Sequence, residues 1–197
     1  MRVLVIFCHP CGDSFNAAIY RTALTTLDAC GHEVRAHDLY AKGFQPPMSR
    51  PERQTCMTTT EPLLSRTAQH AADLHWCQAL IVIYATWVYG APAMLKGWLE
   101  CVFLPGVSFS VSPDSGKLAK LLLTNVRRFV GITTSGSPWW WIKVVGDPGR
   151  KLWTLGLFMR WVTGTRSDWL QLYDMTHTTD ASRAAFLARV TRALRRL

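Results

Sequence analysis

The stretch from residue 79 to residue 103, ALIVIYATWVYGAPAMLKGWLECVF, constrains this chain more than any other. Its opening run, Ala79 to Tyr84, is apolar and rich in β-branched residues. The run is too short for a helix and too continuous for a half-exposed strand, so it predicts a strand buried on both faces. A turn-like segment from Thr86 to Pro92 follows. Apolar spacing then turns helical through Met94, Leu95, Trp98, Leu99, Val102 and Phe103, with Pro92 suited to the first turn. A strand buried on both faces implies a parallel sheet with helices on either side. In such sheets ligands bind in loops at the carboxyl ends of strands, which makes the loop after Tyr84 the first candidate site.

The rest of the chain repeats the pattern. Val3 to Phe7 predict another buried strand, and Cys8-His9-Pro10-Cys11-Gly12-Asp13-Ser14 a loop in which Ser14 or Asp13 caps the next helix. Helical spacing runs through Phe15, Ile19, Ala23 and Leu27 to a stop at Gly31, and Glu33 to Leu39 read as a second strand. The resulting βαβ unit should cross over right-handed. Residues 40–60 read as a loop-rich insertion, with Pro46-Pro47 and the run Thr58-Thr59-Thr60. A helix is expected from Glu61 to Trp76, an excursion over 105–117, and a strand from Phe129 to Thr134. Beyond the turn Gly146-Asp147-Pro148-Gly149 come a helix over Lys151 to Val162, a strand over Trp169 to Tyr173, and a helix from Ala181 to Leu197. Alternating strands and helices predict one α/β domain over residues 1–197 with a doubly wound parallel sheet. The slot after the first strand lacks the Gly-x-Gly-x-x-Gly of a dinucleotide-binding fold. A five-stranded flavodoxin-like sheet of order 2-1-3-4-5 fits better.

Composition narrows the function. The chain has 197 residues, enough for a sizeable core, with 49% apolar and 18% charged residues. Lys and Arg number 22 against 13 acidic residues, a net charge of +9. No block of five like charges occurs. The C-terminal arginines 189, 192, 195 and 196 fall mainly opposite an apolar helical face, so solvated charge explains them and nucleic acid is not expected as a partner. The apolar start is too short for a signal-peptide core, and the uncharged run from Leu74 to Leu95 reads as buried strand and loop rather than a membrane span. Membrane association is not expected. The 6 cysteines are thinly spread and read as reduced thiols of a cytoplasmic protein. The 6 histidines lack a metal-ligand spacing with Cys or carboxylates, so no metal is expected.

Three loops should meet at one sheet edge. Residues 8–16 offer helix-start N–H groups with His9, Ser14 and Asn16, suited to phosphate. Residues 84–91 offer Trp87 and Tyr89 beside Gly90, suited to a flat ring. Residues 133–141 offer hydroxyls, glycine and the run Trp139-Trp140-Trp141, suited to a polar ring edge and an aromatic cover. Each loop alone has a plain structural explanation, but together they describe a site for a planar, phosphate-bearing cofactor.

At this point the sequence resembles the NAD(P)H:quinone oxidoreductase family (DT-diaphorase-like). The motifs are HPCGDSFN at 9–16, DLYAKGFQPPMS at 38–49, GAPAMLKGWLECVF at 90–103 and TTSGS at 133–137. The resemblance implies a flavodoxin-like fold binding FAD, with FMN as the alternative, at a homodimer interface. It also implies two-electron reduction of a quinone-like or other aromatic acceptor by NAD(P)H. By motif, His9, Phe15 and Asn16 hold the phosphates and Thr86, Trp87, Val88 and Tyr89 line the flavin ring. Thr133, Thr134, Ser135 and Gly136 meet its polar edge, and Arg183 reaches the cofactor tail. Trp139 and Trp140 border the acceptor. The chain also departs from the family. The family tryptophan of the second loop falls at Val88, with Trp87 one place earlier. The family's active-site tyrosine pair appears as Phe109 and Val111, placed here with the acceptor. Trp141 aligns with a tyrosine near the flavin, and Asp147 lies near the position of a charge-relaying histidine; these two are the candidate catalytic residues.

Two alternatives belong to other classes. A thiol–disulfide enzyme would use Cys8 and Cys11, with a helix N-terminus lowering a thiol pKa. A flavin-binding accessory subunit of a membrane transporter would use the tryptophan run and the positive charge.

Overall fold

The computed structural model describes residues 1–58, 60–110, 120–157 and 164–197. Thr59, Val111, residues 111–117 of the expected excursion and residues 158–162 of the expected helix lie outside them.

Strands form where the β-branched runs predicted them: β1 (Arg2–Cys8), β2 (Glu33–Asp38) and β3 (Ala79–Ala85). Between them lie α1 (Phe15–Ala29), α2 (Arg50–Thr55) and α3 (Glu61–Trp76). After β3 come α4 (Ala93–Val102), the short β4 (Phe109–Ser110) and β5 (Lys120–Leu121), and β6 (Arg128–Thr134). The remaining elements are α5 (Trp139–Val144), α6 (Pro148–Lys151), β7 (Arg166–Leu172) and α7 (Asp180–Leu194). The main sheet has 5 strands in the order β2-β1-β3-β6-β7, all parallel. Numbered within that sheet, the order is the expected 2-1-3-4-5.

Alternation along each strand divides the core in two. Leu4, Ile6 and Cys8 with Leu80, Val82 and Tyr84 pack under α3 and α4, against Leu63, Leu74, Leu95 and Trp98. Val3, Val5 and Phe7 with Ile81, Ile83, Val130 and Ile132 pack under α1 and α7, against Ile19, Leu27, Phe186 and Val190. β3 is buried on both faces, as its composition predicts, and each such Ile or Leu stabilises by roughly 1.5–3 kcal/mol relative to exposure. Two glycines allow close layers. A Cβ at Gly131 would come 2.2 Å from the Trp169 ring, and one at Gly97 would come 2.4 Å from Pro46. Gly97 thus lets α4 lie on the 40–48 segment, beside Trp98, whose buried indole donates to His70 Nδ1 at 3.1 Å.

Four local expectations change. The 40–60 segment is not all loop, because Ser49 and Glu52 form a reciprocal capping box that starts α2. The tryptophan run is helical, entered from Pro138, rather than a loop. Past Lys151 the helix widens, with the Leu157 N–H reaching the Leu152 carbonyl at 3.0 Å. β7 begins at Arg166, before the apolar signal at Trp169, because an edge strand can carry polar residues toward solvent.

Candidate functional site

Register brings the three loops together. Cys8 pairs with Tyr84, and Tyr84 and Ala85 pair with Thr133 and Thr134, so β1, β3 and β6 end side by side.

In the first loop, Ser14 caps α1: its Oγ accepts from the Ala17 N–H at 3.2 Å and donates to the Cys11 carbonyl at 2.7 Å. His9 Nδ1 lies 3.1 Å from the Cys11 N–H and 3.3 Å from the Cys11 carbonyl, which ties the ring to the loop backbone. The His9 ring stands edge-on to Trp87 at 6.4 Å. Asn16 is buried, and its Nδ2 donates to Thr134 Oγ1 at 2.8 Å. Its Oδ1 is buried with no partner, and so is Thr133 Oγ1.

The second loop is tied down at Thr86, whose N–H and hydroxyl both donate to the Thr134 carbonyl, at 2.9 and 3.0 Å. Trp87 and Gly90 then exchange backbone hydrogen bonds at 3.2 and 3.1 Å, closing a tight turn. Its central residues, Val88 (φ 49°) and Tyr89 (φ 64°), are both left-handed. Glycine and asparagine favour that conformation; a β-branched residue there costs roughly 1–2 kcal/mol. The Val88 side chain gains no burial in return, since it is 93% exposed. Such strain concentrates at binding sites.

In the third loop Thr133, Thr134 and Ser135 are buried. A fourth loop, after β7, supports it: the Asp174 N–H donates to the Ser137 carbonyl at 3.1 Å and the Met175 N–H to the Ser135 carbonyl at 3.0 Å. A Cβ at Gly136 would meet nothing within 4 Å, so the space above this loop is open. Trp141 Nε1 donates to the Tyr89 hydroxyl at 3.0 Å, joining α5 to the strained turn. The result is an open cleft of about 370 Å³ lined by Thr86, Val88, Tyr89, Ser135, Gly136, Ser137 and Ile142. Unpartnered buried acceptors, hydroxyl and backbone donors and flanking aromatic rings fit a planar group with polar edges and a phosphate tail.

Other candidates lie elsewhere. Asp147, left-handed at φ 53°, is engaged by Lys143 Nζ at 2.6 Å and borders a neighbouring pocket with Arg150 and Lys151. Phe109 sits half-buried in the β4–β5 ribbon, paired with Leu121, and is not among the residues lining the cleft. Arg183 Nε donates to Thr178 Oγ1 at 2.9 Å, with its guanidinium 5.9 Å from the Phe15 ring centre. Trp139 and Trp140 point outward. Ser137 and Ile142 line the cleft without having been singled out by sequence. The Asp174 turn, which supports the third loop through its backbone N–H groups, was not singled out either; the polar break after β7 was the available signal. Cys8 is buried, and burial pushes its thiol up to about 12, so Cys8 is a poor source of thiolate for a Cys8–Cys11 redox pair. Among the described residues there is no cluster of three or more His, Cys, Asp or Glu able to hold a metal.

Comparison with known proteins agrees with this geometry. NAD(P)H dehydrogenase [quinone] 1 of Cavia porcellus is 31% identical over 153 residues, covering 69% of this chain and 54% of the relative. The crystal structure of Smu.1420 from Streptococcus mutans UA159 superposes with a TM-score of 0.84, at 26% identity and full coverage of both chains. An FMN-dependent NADH-azoreductase from Bacillus anthracis in complex with FMN superposes at 0.78, with 14% identity, covering 99% and 98% of the two chains, a likeness of fold. The chain spans about half the length of curated relatives such as the first of these. The family model described as a flavodoxin-like fold matches residues 1–192, and the chain belongs to that family.

Proposed function

We propose that this chain is a flavin-dependent NAD(P)H oxidoreductase that reduces a quinone-like or other aromatic acceptor. The observation that carries this reading is the cleft at the ends of β3 and β6, walled by a strained aromatic turn and a hydroxyl-rich loop. The names of relatives such as the Cavia porcellus dehydrogenase support the same chemistry.

A bound flavin supplies two-electron chemistry between a nicotinamide and an acceptor. The chain's part is to hold and cover it. The start of α1, with His9, Phe15 and Asn16, takes the phosphates; Thr86 to Tyr89 flank the ring; Thr133 to Gly136 meet its polar edge. We favour FAD over FMN because Arg183, beside Phe15, extends the polar ledge for a longer tail. Tyr89 Oη accepts from Trp141, so its own O–H is left to donate toward an acceptor. Asp147 is held by Lys143, and its role is to position the α5–α6 turn, where the Gly149 N–H donates to the Tyr89 carbonyl at 3.2 Å. The exposure of Trp87, Val88 and Tyr89 supports a homodimer in which a second copy covers the turn. A cytoplasmic setting agrees with six free thiols.

Purified protein should be yellow, release FAD on denaturation, and oxidise NAD(P)H in the presence of a soluble quinone. A colourless protein that gains no flavin absorbance after reconstitution with FAD or FMN overturns the reading.

A further inference from the structure

α5 divides its side chains sharply. Ile142 is buried, whereas Trp139 and Trp140 are each 58% exposed and Val144 is 68% exposed. At the helical rotation per residue, Trp139, Lys143, Trp140 and Val144 fall in one continuous arc away from Ile142. Beside that arc lies a pocket of about 350 Å³ lined by Lys143, Arg150, Lys151, Thr154 and exposed Leu155 among others. Its one acidic lining residue, Asp147, is engaged by Lys143. Arg150 and Lys151 make no ion pair among the described residues, and Lys151 Nζ lies 3.5 Å from where a Cβ on Gly146 would stand.

Exposed indoles next to these cations, with no further acidic residue lining the pocket to balance them, match one kind of surface. Tryptophan favours the bilayer interface, where its ring meets the acyl boundary and its N–H the headgroups. Lys and Arg beside it are attracted by anionic headgroups. A second copy of this chain matches less well, because a two-fold interface sets a patch against itself and here would oppose like charges. We propose that the Trp139–Val144 face, with Leu155 and the Arg150–Lys151 pocket rim, docks the protein peripherally on an anionic lipid surface. No helix among the described residues is long and apolar enough to cross a membrane, so the contact is with one leaflet. Docking does not depend on bound flavin. Because α5 follows directly from the Ser135–Ser137 wall, it also turns the edge of the cleft toward the bilayer.

Co-sedimentation of the purified holoprotein with vesicles tests this directly. Binding is expected to phosphatidylcholine–phosphatidylglycerol vesicles, not to phosphatidylcholine alone, and it should weaken as salt is raised. Replacing Arg150→Gln and Lys151→Gln should lower the affinity about fivefold for each cation removed, with turnover of a soluble acceptor unchanged. Brominated lipid should quench tryptophan fluorescence in the parent and much less in a Trp139→Ser/Trp140→Ser variant, which should bind at least tenfold more weakly. The proposal fails if the parent does not sediment with anionic vesicles, or if the tryptophan variant binds as the parent does. It also fails if that variant elutes from a sizing column at half the parent's mass, which assigns the face to a second copy. Flavin retention, read from the same samples, reports separately on the oxidoreductase reading.

Discussion

Two polar regions, one on the sheet face under α3 and one at the sheet's carboxyl edge, differ in how completely they are satisfied. At the end of β2, His37 Nε2 donates to Asp73 Oδ2 at 2.6 Å, and Arg35 and Gln69 donate to Oδ1 at 2.7 and 2.9 Å. Lys42 Nζ lies 3.0 Å from His37 Nδ1, and the His70 ring lies tilted against His37, 4.1 Å between ring centres, while accepting from Trp98. Both oxygens of Asp73 are used. At the ends of β1, β3 and β6, by contrast, Asn16 Oδ1 and Thr133 Oγ1 are buried without partners, and Val88 holds a strained backbone in full view of solvent. Burying a polar group is costly unless it is bonded, so a finished network serves the fold, while an unfinished one awaits a ligand.

The largest effect should come from breaking the finished network. Asp73→Ala leaves His37 buried beside Lys42 with no carboxylate, and should lower unfolding free energy by about 3–5 kcal/mol in urea titrations. Flavin content per folded chain should be unchanged. Acid should attack the same place. Burial lowers the pKa of His37, and burial with the nearby His37 and Lys42 charges lowers that of His70 to about 4. The unfolded chain therefore binds these protons first, and stability present above about pH 6.5 should be lost as pH falls toward about 4, by about 3 kcal/mol from His70. Asp73, whose pKa is also lowered against the opposing cost of burial, adds loss in the same direction. Melting temperature against pH reads this, and His70→Gln should flatten the curve.

The unfinished region should behave in the opposite way. Val88→Gly relieves the left-handed strain and should raise the stability of flavin-free protein by about 1 kcal/mol, while weakening flavin retention. The smallest effect is expected from Thr133→Val, which removes a buried hydroxyl with no partner. Apo stability should change by less than about 1 kcal/mol in either direction, with flavin bound less tightly. If instead Thr133→Val destabilises as Asp73→Ala does, the two regions are alike and the contrast is lost.

Much of the fold was legible in the residues because strand runs and helical spacing are local signals. Ala79 to Tyr84 could only be a strand buried on both faces, and Phe15 to Leu27 only a helix packed along one side. The order of strands and loops put the three loops at one sheet edge, and the structure brings them together there. Less legible were features made by contacts across the chain. The His37–Asp73 pair is 36 residues apart in sequence and the His70–Trp98 pair 28. No periodicity announces either.

The sequence by itself therefore determined the strands, the helices and which loops end at the ligand edge, because burial on one face or two is written in the spacing of apolar residues. Only the tertiary structure decided what those loops do. It held Val88 left-handed, joined Trp141 to Tyr89, gave Asp147 to Lys143, and left Trp139 and Trp140 facing outward. Those outcomes depend on which side chains meet after the layers pack, and on which polar atoms are left over once they have.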